Sequence, residues 1–361
     1  LFASPKTIVE NGGVSTLTAA LSGTSSLDVT VALAYSNANV TGPASIVVPA
    51  GRLTAQVTVT AVDNAVDEPD RTVEVSVDSV TNGTEDGVQA VTLTLTDDEG
   101  APSLSIADAS ISEGASGTSV MTFTASLSAA SGQTVTVDYA TSDLTATAGS
   151  DYTAASGTLT FTPGQTQQTF GVTVSGDTVM ELTEAFSVTL SSATSATIAN
   201  GSATGTITND DALPDVTLAA APATIAENGG TSTLTATLSA LSSQDVSVSL
   251  GYSNGNVTGP ASIVVPAGSL TATASVTAVD NALDEPDRTV DVSVDSVTNG
   301  TESGTQAVTL TLTDDDGASS LSIADASLTE GASGTSVMTF IVSLSAASGQ
   351  AVTVDYATAD G

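Results

Sequence analysis

The chain contains no cysteine, no histidine and no tryptophan among its 361 residues. Without cysteine there is no disulfide framework and no thiolate metal site, so an oxidising compartment is allowed but not demanded. Without histidine, zinc sites, haem ligation and Ser-His-Asp hydrolysis lose their usual donor. Basic residues are almost missing: Lys6, Arg52, Arg71 and Arg288 stand against 40 acidic residues. Nucleic acids are bound through clustered Lys and Arg that release counterions, so nucleic acid is excluded as a partner. Docking on anionic membranes fails for the same reason. No apolar run approaches the roughly 20 residues of a membrane span, so direct membrane insertion is not expected, and Leu1 does not open a signal peptide.

What the sequence does contain is a repeat and a large negative charge, formally −36. Ile8-Val9-Glu10-Asn11-Gly12-Gly13 returns 217 residues later as Ile225-Ala226-Glu227-Asn228-Gly229-Gly230, and the stretch from Val40 to Gly51 returns unchanged from Val257 to Gly268. Ser103-Leu104-Ser105-Ile106-Ala107-Asp108 likewise returns as 320–325. A fixed period marks a tandem array of folded units rather than one large enzyme domain.

Within each unit apolar and small polar residues alternate, as at Leu17, Ala19 and Leu21 or Val91, Leu93 and Leu95. That is the pattern of strands with one buried face, and Thr and Val suit it. Asn11-Gly12, Asn82-Gly83, Pro163-Gly164, Asn200-Gly201 and Asn299-Gly300 read as turns. The Asn-x-Ser/Thr sequons at Asn39, Asn82, Asn200, Asn256 and Asn299 are a secondary reading of such positions. No helix-period stretch is present. The expected fold is all-β, a tandem array of seven-stranded antiparallel immunoglobulin-like sandwiches. The expected domains are 1–100 and 213–317 of one type and 101–212 of a second type, with 318–361 repeating only the start of the second. The short joints, Gly100-Ala101-Pro102 and Ala212-Leu213-Pro214, should hold neighbours close in an extended rod. The chain is expected to be a segment of a longer polypeptide, with strand donation between subunits as the alternative for its partial last unit.

In the second unit Ser112-Glu113-Gly114 and Val137-Asp138-Tyr139-Ala140-Thr141-Ser142-Asp143 precede Gly149-Ser150-Asp151-Tyr152 and Gly157-Thr158-Leu159-Thr160-Phe161. Asp177, Glu181, Glu184, Phe186 and a closing Asn209-Asp210-Asp211 follow. This pattern resembles the Calx-beta domain, the module of sodium–calcium exchanger regulatory regions, an integrin β subunit and many large bacterial surface proteins. The resemblance covers 101–212 and its partial copy 318–361 strongly, and 1–100 and 213–317 more loosely. It implies a sandwich that binds calcium at one end, through Glu113, Asp143, Asp177, Glu181, Glu184, Asp210 and Asp211. The first unit aligns with Glu10, Asp63, Asp67, Glu68, Asp97 and Asp98, and the third with Glu227, Asp280, Asp284, Glu285, Asp314 and Asp315. Glu330 and Asp360 are their counterparts in the partial unit. The sequence departs from the family pattern in several places: Gly176 and Asn209 stand where strongly binding members often have further Asp, Asn37 and Asn254 replace Asp143, and Arg71 and Arg288 lie opposite Glu184, where a cation would take part of the calcium charge.

Two readings of the carboxylates remain open from spacing alone. They gather at the start, the middle loop and the end of each unit, where an oxygen-only donor set suits Ca2+. They equally serve as a solvated charged surface that protects a β-array from edge pairing. A pair such as Glu181 and Glu184 could in principle perform glycosidase-type acid–base work, but nothing supplies a substrate cleft, aromatic sugar platforms or Trp. The sequence therefore points away from an enzyme and toward an extracellular or cell-surface structural segment, a stalk or filament of a bacterial adhesin. A calcium-sensing regulatory module of a larger membrane or signalling protein is the alternative. Expected partners are neighbouring modules and identical subunits of a filament.

Overall fold

A computed structural model describes residues 1–361, and all its regular elements are β-strands. The first sandwich comprises β1 (Phe2–Ser4), β2 (Thr7–Val9), β3 (Val14–Ala20), β4 (Val29–Tyr35), β5 (Val40–Thr41), β6 (Ser45–Val48), β7 (Thr54–Ala61), β8 (Arg71–Thr81) and β9 (Ala90–Thr96). Its two sheets run β1-β3-β7-β5 and β2-β9-β8-β4-β6. Alternation sends Leu17, Ile46, Val59, Val73, Leu93 and Leu95 between the sheets, where they are fully buried.

The sandwich has nine strands rather than the expected seven, because β5 and β6 join opposite sheets and so do β1 and β2. The first strand is split at Ser4-Pro5-Lys6, so β1 joins one sheet and β2 the other. A proline has no N–H to donate to a ladder, which suits it to that crossing. β2 then pairs parallel with the last strand, Ile8 opposite Leu95. The ends of β2 and β9 consequently emerge at the same pole, and the Glu10 amide donates to the Thr96 carbonyl at 3.0 Å. The turn that follows β2 is tight: a Cβ on Gly13 would lie 2.2 Å from the Val9 carbonyl oxygen, a clash only glycine avoids.

The second sandwich repeats the scheme with more aromatic packing. Strand Ala109–Ser112 runs parallel to Ser202–Thr208, with Ile111 opposite Ile207. Phe123, Tyr152, Phe161 and Phe186 are buried, and Tyr152 stacks on Phe186 at 4.3 Å between ring centroids. Tyr139 stacks on Phe170 at 3.9 Å. Such pairs add to the burial of their rings. The third sandwich copies the first, with Ile225 opposite Leu312 in its parallel pair and an aliphatic core around Leu234, Val276 and Leu310.

Residues 318–361, which repeat the start of the second sandwich, do not reproduce its strands. They form one short antiparallel pair, Leu321–Ile323 with Val342–Leu344. Met338 is exposed there together with Phe340, Val354 and Tyr356, whereas Met121 and Met180 are buried. In the second sandwich the corresponding apolar residues pack against Phe161, Phe170 and Phe186. The sequence of 318–361 contains no counterparts of those three rings.

The chain divides into two compact units. One comprises Leu1–Glu113, Thr118–Ser175 and Glu184–Thr208; the other comprises Gly114–Gly117, Gly176–Thr183 and Asn209–Gly361. Within the first, the loop after β7 meets a Ser-Gly turn: the Gly132 amide donates to the Asp67 carbonyl at 2.8 Å. Within the second, the Gly349 amide donates to the Asp284 carbonyl at 3.1 Å, and the Ser243 amide donates to the Met180 carbonyl at 2.9 Å.

Candidate metal centre

The pole of the first sandwich gathers carboxylates from three distant parts of the chain. Glu10 follows β2, Asp63 and Glu68 lie in the loop between β7 and β8, and Asp97, Asp98 and Glu99 follow β9. Oxygens of Glu10, Asp63, Asp98 and Glu99 lie within 4.8 Å of one another, as do those of Glu10, Glu68 and Asp97. Glu10 is at the centre and only 1% exposed. Its Oε2 pairs with Arg71 Nη2, whereas its Oε1 and Glu99 Oε2 are buried with no hydrogen-bond partner.

Crowding of this kind raises the affinity for positive charge. Asp97 is shifted up from the usual carboxylate range by desolvation and by the charges of Glu10, Asp67 and Glu68, against a lowering hydrogen bond from the Glu68 amide. Desolvation and Glu10 push Glu99 up in the same way. Asp67 and Glu68 have other duties: Asp67 accepts from Ser131, and Glu68 lies 2.8 Å from Arg71 Nε.

The third sandwich reproduces this pole. Glu227, fully buried, meets Asp280 and Asp315, and also Asp314 and Asp316. Its Oε2 is 2.5 Å from Arg288 Nη2, and its Oε1 is buried without a partner, as is Asp316 Oδ2. Asp316 is raised by desolvation first and then by Asp314, Asp315 and Asp280. Glu285 again pairs with Arg288, while the main-chain carbonyl of Asp284 accepts from the Gly349 amide.

The second sandwich has no arginine. Glu113 is 4% exposed and follows strand Ala109–Ser112, as Glu10 follows β2. Asp177, Asp210 and Asp211 come together: desolvation, then Asp210 and Asp177, raise Asp211, whose Oδ2 is buried without a partner. Asp210 Oδ1 accepts from the Gly114 amide, and Asp177 Oδ1 from the Val179 amide. Glu181 donates its amide to Asn209 Oδ1. Glu184 lies with Asp151, their oxygens within 4.8 Å. Asp143 is exposed and bound locally, accepting from the Tyr152 hydroxyl at 2.6 Å and the Ala148 amide at 3.0 Å. Desolvation and that hydrogen bond push the Tyr152 phenol up to about 12.

The sequence reading missed Glu99, Asp316 and Asp151. Glu99 and Asp316 each extend a visible Asp-Asp pair by one residue, which was the available signal. Asn37 and Asn254 serve turns, donating to the Thr72 and Thr289 carbonyls at 3.0 Å. Glu330 and Asp360 are exposed in 318–361 and belong to none of these clusters. All donors are carboxylate oxygens, and several buried oxygens lack partners, so the residues fit a hard divalent cation rather than a soft metal.

The family description of the Calx-beta domain matches residues 96–211. This part of the chain is a Calx-beta domain. Among solved structures, the apo-form Calx CBD1 domain is 25% identical, with 30% of this chain and 98% of that one covered and a TM-score of 0.27. The adhesin InvE of Yersinia pseudotuberculosis is 16% identical, with 58% of each chain covered and a TM-score of 0.27. A tetra-tandem repeat from the extending region of a large adhesion protein is 15% identical, with 88% and 75% covered and a TM-score of 0.33. None of the curated proteins matches the chain. The Calx-beta domain at 96–211 and its neighbours thus form a tandem array of β-sandwich repeats, and no helix is long and apolar enough to cross a membrane.

Proposed function

We propose that the chain is a non-enzymatic structural segment of a cell-surface protein, and that calcium bound at the acidic poles of its repeats stiffens it. The observation that supports this most directly is the buried glutamate that opens each complete repeat. Glu10 and Glu227 sit at a pole where carboxylates from the end of the same repeat arrive, and the buried Glu113 follows the corresponding strand of the second repeat. Two like charges about 4 Å apart cost roughly 4 kcal/mol at an effective dielectric near 20. A divalent ion with oxygen ligands converts that repulsion into attraction. Extracellular calcium modules bind with dissociation constants of about 10⁻⁴–10⁻³ M. Calcium at ten- to a hundredfold excess then stabilises each occupied repeat by about 1.4–2.7 kcal/mol.

In this reading the Ser-Gly turns that receive Asp67 and Asp284 tie a repeat's acidic loop to its neighbour, so ion binding at the pole also restrains the joint. Neighbouring repeats are the first partners, and identical subunits of a filament the second. The test is calorimetry of the whole chain with calcium and with a chelator, alongside small-angle scattering. Calcium should raise the melting temperature and lengthen the maximum dimension. Identical melting and scattering curves under both conditions would leave the carboxylates as a solvated surface only.

A further inference from the structure

We propose that Arg71 and Arg288 are tethered cations that occupy part of the acidic pole in the first and third repeats, so that metal demand alternates along the chain. The inference rests on the calcium reading above and adds an internal competitor to it. Both arginines begin the same strand position, both use Nη2 on the buried glutamate, and both place Nε beside a loop glutamate at 2.8 and 2.9 Å. Both also donate Nη2 to a loop carbonyl, Val62 or Val279, at 3.2 Å. Nη1 reaches Asn39 Oδ1 at 3.4 Å and Asn256 Oδ1 at 3.3 Å. The guanidinium is thus ringed by oxygens, as a bound cation would be.

The glutamate is divided between two positive charges. Its Oε2 serves the arginine, its Oε1 is buried and unpartnered, and the carboxylates that follow the last strand cluster with the same glutamate. Beside the arginine a divalent ion still has a donor set of Glu10 with Asp98 and Glu99, or Glu227 with Asp314 and Asp316. In the second repeat Glu184 stands where the arginine stands in the others, so a side-chain cation is replaced by another acid. That repeat contains no Lys or Arg of its own.

The experiment uses the full chain, its Arg71→Gln/Arg288→Gln variant and the charge-preserving Arg71→Lys/Arg288→Lys variant. Bound calcium is counted by equilibrium dialysis, and melting is followed in chelator and in calcium. The proposal expects the glutamine variant to gain one calcium ion per substituted arginine. It should melt lower than wild type in chelator and recover in calcium, while the lysine variant keeps the wild-type count. A glutamine variant that binds no more calcium than wild type overturns the proposal, as does a melting loss that calcium does not restore. Absence of calcium from the wild-type chain would instead defeat the calcium reading; the difference between variant and wild type decides the arginine proposal separately.

Discussion

The Ser131 hydroxyl donates to Asp67 Oδ2 at 3.0 Å, joining residues 64 positions apart across two successive repeats. Ser131 is 2% exposed, and its Oγ also accepts the Gln133 amide. Ser131→Ala would leave a half-buried carboxylate short of a donor, a loss of about 1–3 kcal/mol. Equilibrium denaturation of Ser131→Ala, Asp67→Asn and the double variant would measure it. Strictly additive single effects would mean the two residues do not act together.

Gly132 is fixed by the same joint. A Cβ there would lie 2.9 Å from the Glu68 Cβ and 3.4 Å from the Asp67 carbonyl oxygen. Gly132→Val is therefore expected to push the loop off the turn while sparing both cores. Hydrogen exchange at the Gly132 amide, which donates to Asp67, should speed up, with core strands such as Val73–Val75 unchanged. Unaltered exchange at that amide would show that the joint is not held this way.

Acid should act in opposite directions with and without calcium. Asp97, Asp211 and Asp316 have raised affinities for protons in the folded state, chiefly through desolvation and neighbouring carboxylates. For a raised carboxylate the folded state holds more protons than the unfolded one, so stability is complete below the unfolded value and falls as pH rises through the folded value. In chelator, melting temperature should thus rise as pH drops from neutral toward the ordinary carboxylate range. In saturating calcium the protons compete with the ion, and the slope should reverse. Two parallel slopes would show that protons and calcium do not share these sites.

The second repeat depends on Phe186 more than on any acidic residue. Phe186 is fully buried, stacks on Tyr152 and meets Phe123 edge-on at 5.9 Å. Phe186→Ala should cost about 3–5 kcal/mol through lost burial and a cavity. A calorimetric transition assigned to this repeat should shift alone, leaving the aliphatic cores of the first and third repeats in place.

Period-two alternation and the 217-residue repeat made the sandwiches legible, because one buried face per strand is written directly into residue order. The acidic poles were legible as three separate clusters, and the Asp-Asp pairs marked where each repeat closes. What stayed hidden was division of labour. Asp67, Glu68 and Asp143 look like ligands by position, yet their partners are Ser131, Arg71 and Tyr152, which only the folded chain brings near. The split first strand was hidden too, since Ile8 fits an antiparallel hairpin as well as its parallel place beside Leu95.

That parallel pair determines how a repeat would bear a pull. Tension entering before Thr7 and leaving after Thr96 runs along β2 and β9 in opposite senses, because the two strands point the same way. The register pairs Thr7–Thr94, Ile8–Leu95 and Val9–Thr96 then resist sliding together, rather than opening one at a time like a zipper. Single-molecule stretching of an Ile8→Pro variant, which removes one amide donor from that strand, should show rupture at lower force. A chain of such repeats would yield in discrete steps, each lengthening it by one unravelled sandwich while the remainder stays folded.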